Sequence, residues 1–169
     1  MIMCLLFLVV VLDLEEKEGT IITYTDSIEG HIKVDLEQNT VVLREGNSYK
    51  HYYARDIKKV VLQSEGSIIQ YASYPFGVNE DHFLFEELST GQVPLLFRRG
   101  LKFSKYDETT FPPFFMAIEG SVYSIEGKKQ VLEVMKDQKD AIKDYVKENK
   151  VDFDERQSLT DLFEFYNAL

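Results

Sequence analysis

Cys4 is the only cysteine in this chain, and tryptophan is absent. One thiol cannot close an internal disulfide, complete a cysteine-rich zinc site or form a redox pair. It also sits in an apolar run with no base beside it in sequence, a setting expected of a structural rather than a reactive cysteine. Four prolines and nine glycines in 169 residues exclude a collagen-like or low-complexity chain. Positive charge is scarce as well. Lysine and arginine total 19 against 29 acidic residues, for a net charge of −10 and an isoelectric point near 4.8. Nucleic acid is bound by neutralising phosphates with basic side chains, so this balance argues against a nucleic-acid partner. An anionic membrane surface is disfavoured for the same reason. The excess lies mainly in residues 1–127, with 11 basic and 19 acidic side chains; residues 128–169 hold 8 and 10. The ordinary consequence of such a charge is solubility.

The motifs of common chemistries are missing too. No G-x-S-x-G elbow, phosphate-cradling G-x-x-x-x-G-K-[ST] loop or dinucleotide G-x-G-x-x-G occurs. The three histidines, His31, His51 and His82, fall on separate predicted strands. His31 and His51 could face each other across a sheet, but an isolated strand histidine is ordinarily a surface or core residue, so no metal site is expected. Acidic pairs such as Glu15-Glu16, Glu80-Asp81 and Glu86-Glu87 are abundant. Acid–base work needs two carboxylates facing across a cleft with separated pKa values, which adjacency in sequence does not supply. Asp152-x-Asp154-Glu155 lacks the twelve-residue loop and central glycine of a calcium hand. The expectation is a protein without catalytic residues, metal or cofactor.

What the chain does have is core-forming material. Apolar residues make up 44%, with 10 tyrosines and 12 phenylalanines, enough for one packed domain. Residues 1–12 (MIMCLLFLVVVL) are uniformly apolar. A spanning helix needs about 20 such residues, so the run is too short to cross a membrane. It matches the apolar core of a secretory signal in length but has neither a basic start nor a small-residue cleavage site. It reads as a signal remnant, with a buried β-strand as the alternative.

From residue 19 the pattern is short strands separated by turns, with segments at 20–25, 31–36, 40–44, 49–53 and 56–63 spaced about ten residues apart. Ile32, Val34 and Leu36 fall on one face of the second. Further strands are predicted at 67–74, 82–88, 93–105 (interrupted by Gly100), 114–118 and 121–124. After Gly127 the apolar period lengthens to a helical one. It predicts helices over 128–135 and 138–149, the latter capped by Asp137. A last helix starts at Asp154 or Ser158, with Leu159, Leu162, Phe163, Tyr166 and Leu169 inward. These helices are too short to be stable alone and must pack on the sheet or on each other. The predicted class is α+β: an antiparallel β-sheet or small barrel-like portion over 13–127, followed by two or three short C-terminal helices over 128–169.

Two stretches carry a family likeness. Residues 83–102 (FLFEELSTGQVPLLFRRGLK) form a bulky strand, a glycine turn and a Val-x-Leu-Leu-x-Arg unit, and residues 128–169 form a helical tail ending in FYNAL. With the earlier strand run, they resemble a family of small uncharacterised exported proteins of the Bacteroidota over roughly residues 19–169. The resemblance implies a periplasmic or cell-envelope setting and assigns no activity; the cytoplasm is the alternative location. The front half also looks somewhat like an Sm- or SH3-type small barrel.

One local cluster invites a binding role. Phe97, Arg98, Arg99, Lys102, Phe103, Lys105 and Tyr106 combine aromatic rings with positive charge, the residue types that anchor interfaces. They are candidates for docking an acidic partner or a glycan; the competing reading is salt bridges to neighbouring carboxylates. Residues 111–115 (FPPFF) form either a core plug or an exposed sticky loop. The leading functional expectation is a non-catalytic envelope-associated protein that binds another protein. A small-ligand-binding barrel-like protein is the alternative, and a cytosolic Sm-like module is opposed by the acidity.

Overall fold

The computed structural model describes residues 16–103 and 110–169. The apolar run at 1–12, read as a signal remnant or a strand, lies outside the described residues. Among the described residues ten strands form one antiparallel sheet: β1 Lys17–Thr23, β2 Ser27–Asp35, β3 Thr40–Glu45, β4 Ser48–Tyr53, β5 Ile57–Ser64, β6 Ser67–Phe76, β7 Asp81–Ser89, β8 Leu95–Phe97, β9 Phe114–Ile118 and β10 Ser121–Ser124. Three helices follow, α1 Lys128–Val134, α2 Lys139–Glu148 and α3 Arg156–Asn167. The class is α+β.

Local chemistry explains most of the hairpins. Glu65-Gly66 and Glu119-Gly120 join β5 to β6 and β9 to β10 as two-residue loops in which both residues have positive φ. That conformation matches the twist of the flanking strands, and glycine adopts it without steric penalty. The sheet runs β10-β9-β8-β7-β6-β5-β1-β2-β3-β4. Its one departure from a simple meander is β5, which returns beside β1 after a short 3-10 turn at Ala54–Asp56. Strands β1–β4 therefore form a meander whose first strand is flanked on its other side by β5. The sheet continues from β5 into β6.

Side-chain alternation places two cores on opposite faces of this sheet. In the front half Ile21, Ile32, Val41, Leu43, Val60 and Leu62 point to one face and pack together. In the back half Phe85, Leu96, Phe115, Ala117 and Val122 point to the other face, and β10 curls back toward β6 to enclose them. The remaining face of the back half carries Leu95, Phe114 and Met116. The helices cover it with Val131, Met135, Ile142, Leu159, Leu162, Phe163 and Tyr166. This double coverage explains why β9 (FFMAI) reads as a continuous apolar run with four of its five residues buried. Fully burying each such side chain contributes about 1.5–3 kcal/mol.

Several details differ from the sequence expectation. Of the long strand predicted over 93–105, residues 93–103 form only Leu95–Phe97, because the chain leaves the sheet at Arg98 and turns at Arg99-Gly100; residues 104–105 lie outside the described residues. Asp137 does not cap α2; it accepts a hydrogen bond from the Tyr166 hydroxyl at 3.0 Å and ties that segment to α3. The cap of α3 is Glu155, whose carboxylate accepts from the backbone N–H groups of Gln157 (3.0 Å) and Ser158 (2.5 Å). Asp152 and Ser158 instead build the preceding turn: Asp152 Oδ1 accepts from Asp154 N, and Ser158 Oγ accepts from Asp152 N. Leu169 lies beyond the end of α3 and is 57% exposed rather than inward.

Candidate interaction surface

The aromatic-basic segment does not form one surface. Phe97 faces the helical layer, flanked by the guanidinium groups of Arg99 at 5.5 Å and Arg156 at 4.7 Å. Arg156 in turn grips Glu86 on β7 with both terminal nitrogens, at 2.5 and 3.2 Å. This joins the start of α3 to the sheet. Phe103 belongs to the opposite side, stacked on Phe76 at 5.3 Å with half its surface exposed. Lys102 is half-buried beside it. Tyr106 and Lys105 lie outside the described residues.

Arg98, expected at a docking surface or in a surface salt bridge, does neither. It is 5% exposed. Its guanidinium donates to Leu84 O at 2.8 Å, Leu36 O at 2.5 Å and Asn39 Oδ1 at 2.9 Å, and it lies 5.3 Å from the Phe83 ring. No carboxylate is among these partners. Burial pulls its pKa from 12.5 down to about 10, which still leaves it cationic at neutral pH.

The cause of this arrangement is the early end of β8. Beyond its pairing with β8, β7 has a bare edge at residues 82–84, and buried backbone groups need partners. Asn39, in the β2–β3 turn with φ of 57°, supplies two. Its side chain accepts from Leu84 N (3.0 Å) and donates to His82 O (2.6 Å). Arg98 then satisfies Leu84 O and reaches across to Leu36. One buried arginine and one turn asparagine thus fasten the front half to the back half.

The FPPFF segment is a core plug. Phe114 and Phe115 are buried in β9, and Phe111 packs against Phe103, Phe76 and Phe115 at centroid distances of 5.0, 5.2 and 6.4 Å. The histidines stay apart, because β3 separates β2 from β4: His31 pairs with Arg44, and His51 with Val42. His82 Nδ1 lies 3.1 Å from Ser73 Oγ, but that hydroxyl donates to Ala54 O at 2.7 Å. A serine so engaged is not poised as a nucleophile. Among the described residues no three histidine, cysteine or acidic side chains group as metal ligands. Glu86 and Glu87 point to opposite faces and pair with Arg156 and Lys59, the latter at 2.6 Å. Those carboxylates serve the fold.

A regular sheet edge is exposed at β4. It ends the strand order, and among the described residues nothing pairs with its outer edge. All six of its residues are in register with β3, from Thr40↔Tyr53 to Glu45↔Ser48, without a bulge or proline. Only Tyr52 is buried. Tyr49, His51 and Tyr53 share the outward face, and the two tyrosines are 58% and 55% exposed. The other end of the sheet is less accessible, because β10 curls toward β6. Sequence reasoning placed a strand at 49–53. Its standing as an edge depends on strand order, for which the local pattern holds no signal.

Among the described residues no helix is long and apolar enough to cross a membrane. Comparison with protein-family models, with curated proteins and with solved structures gave no match to this chain.

Proposed function

We propose that this chain is a non-catalytic, cell-envelope-associated protein that binds an extended segment of a protein partner along β4. The observation that carries the reading is the regular edge of that strand, which no described residue pairs with. An exposed sheet edge presents a row of free N–H and C=O groups, and a partner strand can add to it by main-chain hydrogen bonding. Natural edges are commonly guarded by prolines, bulges or several charges. The only charged residue in β4 is Lys50. Exposed tyrosines on alternate positions give the side-chain specificity that such binding requires, since tyrosine offers contact area at low entropic cost. The envelope setting rests on the apolar run at 1–12 and on the resemblance to exported proteins.

A photo-crosslinking residue placed at Tyr49 in the endogenous protein tests this. Crosslinks to one envelope protein at that position, abolished by a second substitution of Tyr53→Lys, are the expected result. Crosslinks that appear only from Arg99 or Phe103 would return the site to the β8 segment and dismiss the edge.

A further inference from the structure

The helical layer holds a second feature that the β4 reading does not use. Helix α1 buries only Val131 fully and stands between two shallow grooves. On one side, a groove of about 860 Å³ runs over Met116, Ile118, Tyr123 and Val134. On the other, a groove of about 650 Å³ has Leu132, Met135 and Ile142 beneath it. Both volumes fall within the roughly 300–1,000 Å³ of small-molecule sites.

The second groove is distinguished by its charge. Five lysines line it, Lys128, Lys129, Lys136, Lys139 and Lys143, against the single acid Glu133. The chain as a whole carries −10, so this is a local inversion of sign. Glu133 is already engaged by Lys136 at 2.9 Å, and Lys128 lies over the Phe153 ring at 5.4 Å. Lys129, Lys139 and Lys143 form no ion pair with a described carboxylate. Lys139 and Lys143 are one helical turn apart on one face of α2, and the buried Ile142 lies at the floor of the same groove. Their methylene stems extend the apolar surface while their ammonium groups ring its mouth.

We propose that this groove binds a single-chain amphiphilic anion, a medium-chain fatty carboxylate. The acyl chain lies on Leu132 and the lysine stems, and the carboxylate sits between Lys139 and Lys143 with Lys129 opposite. A peptide helix fits less well. α1, the wall of the groove, has seven residues and is about 10 Å long at 1.5 Å per residue, whereas helix-in-groove recognition uses anchors spread over two turns or more.

The test is calorimetric titration of the full chain with decanoate below its micellar concentration, beside acetate and decyltrimethylammonium. Decanoate is expected to bind with one-to-one stoichiometry, acetate not at all, and the cationic decyl compound at least tenfold more weakly. The double variant Lys139→Glu/Lys143→Glu, both exposed positions, is expected to keep its melting temperature and lose decanoate binding by at least tenfold. Leu132→Ser, which leaves every lysine in place, should weaken it as well. Equal binding of the two decyl compounds would overturn the assignment, as would unchanged affinity in the lysine variant. Binding only to anionic phospholipid vesicles and not to monomeric decanoate would overturn it too, in favour of a membrane contact. None of these outcomes depends on β4.

Discussion

Replacing Arg98 with methionine should destabilise this protein far more than the same change at Arg99, although the two residues are adjacent. Methionine replaces the aliphatic stem of the side chain and removes the guanidinium. Three hydrogen bonds are lost, to Leu84 O, Leu36 O and Asn39 Oδ1. Bonds to a charged group are worth about 1.5–3 kcal/mol each, so the gross loss is about 4.5–9 kcal/mol. Against this stands the relief of a buried charge, which costs several kcal/mol to desolvate. The net expectation is a loss of about 2–4 kcal/mol, left chiefly by acceptors that water reaches poorly. At about 2–4 °C per kcal/mol for a chain of this size, that corresponds to a fall in melting temperature of roughly 4–16 °C. Arg99 is exposed and, among the described residues, contacts Phe97, so Arg99→Met should cost no more than about 1 kcal/mol. Urea unfolding of both variants with an unchanged slope is the measurement. A double cycle with Asn39→Ala should be strongly non-additive, because both residues serve the edge of β7. Should Arg98→Met unfold within about 0.5 kcal/mol of the parent, the idea that this arginine fastens the two halves fails.

Two further expectations concern pH and the helical layer. Burial, with Glu87 close by, raises the Tyr74 pKa well above 10, so the folded state holds that proton longer than the unfolded chain. Stability contributed this way is complete below about pH 10 and declines as pH rises beyond it, because there the native state binds more protons. Tyr74→Phe should therefore flatten the alkaline fall of the unfolding midpoint, and an unchanged slope would count against it. Asn167 clamps the end of α3 to the loop before β8, accepting from Val93 N at 2.9 Å and donating to Val93 O at 3.0 Å. Asn167→Ala should cost about 1–2 kcal/mol and speed amide exchange in α3 more than in β1–β3. Uniform acceleration across the chain would contradict a local clamp.

Much of this fold was legible in the chain because its signals are local. Alternation placed Ile32 inward, glycine turns placed the hairpins, and the change of period after Gly127 marked the helices. Glu155 was missed as a cap because Asp154 and Ser158 offer the same chemistry nearby, and only the backbone path decides which side chain reaches Gln157 N and Ser158 N. The candidate site fared differently. Phe97, Arg98, Arg99 and Phe103 are neighbours in sequence, yet the chain's departure from the sheet after Phe97 sends them to two faces and an interior.

The amino-acid sequence by itself determined the class of the protein, the positions of most strands and helices, and the lack of familiar catalytic motifs. Each of these follows from spacing or residue type over a few positions. Only the tertiary structure decided that β5 lies beside β1, that the sheet has cores on opposite faces, and that β4 is left as an edge. It alone also placed Arg98 in the interior and gathered lysines from α1 and α2 around one groove. Such outcomes depend on which distant segments pair and pack. A hydrophobic period records that a residue is to be buried, but not which partner will bury it.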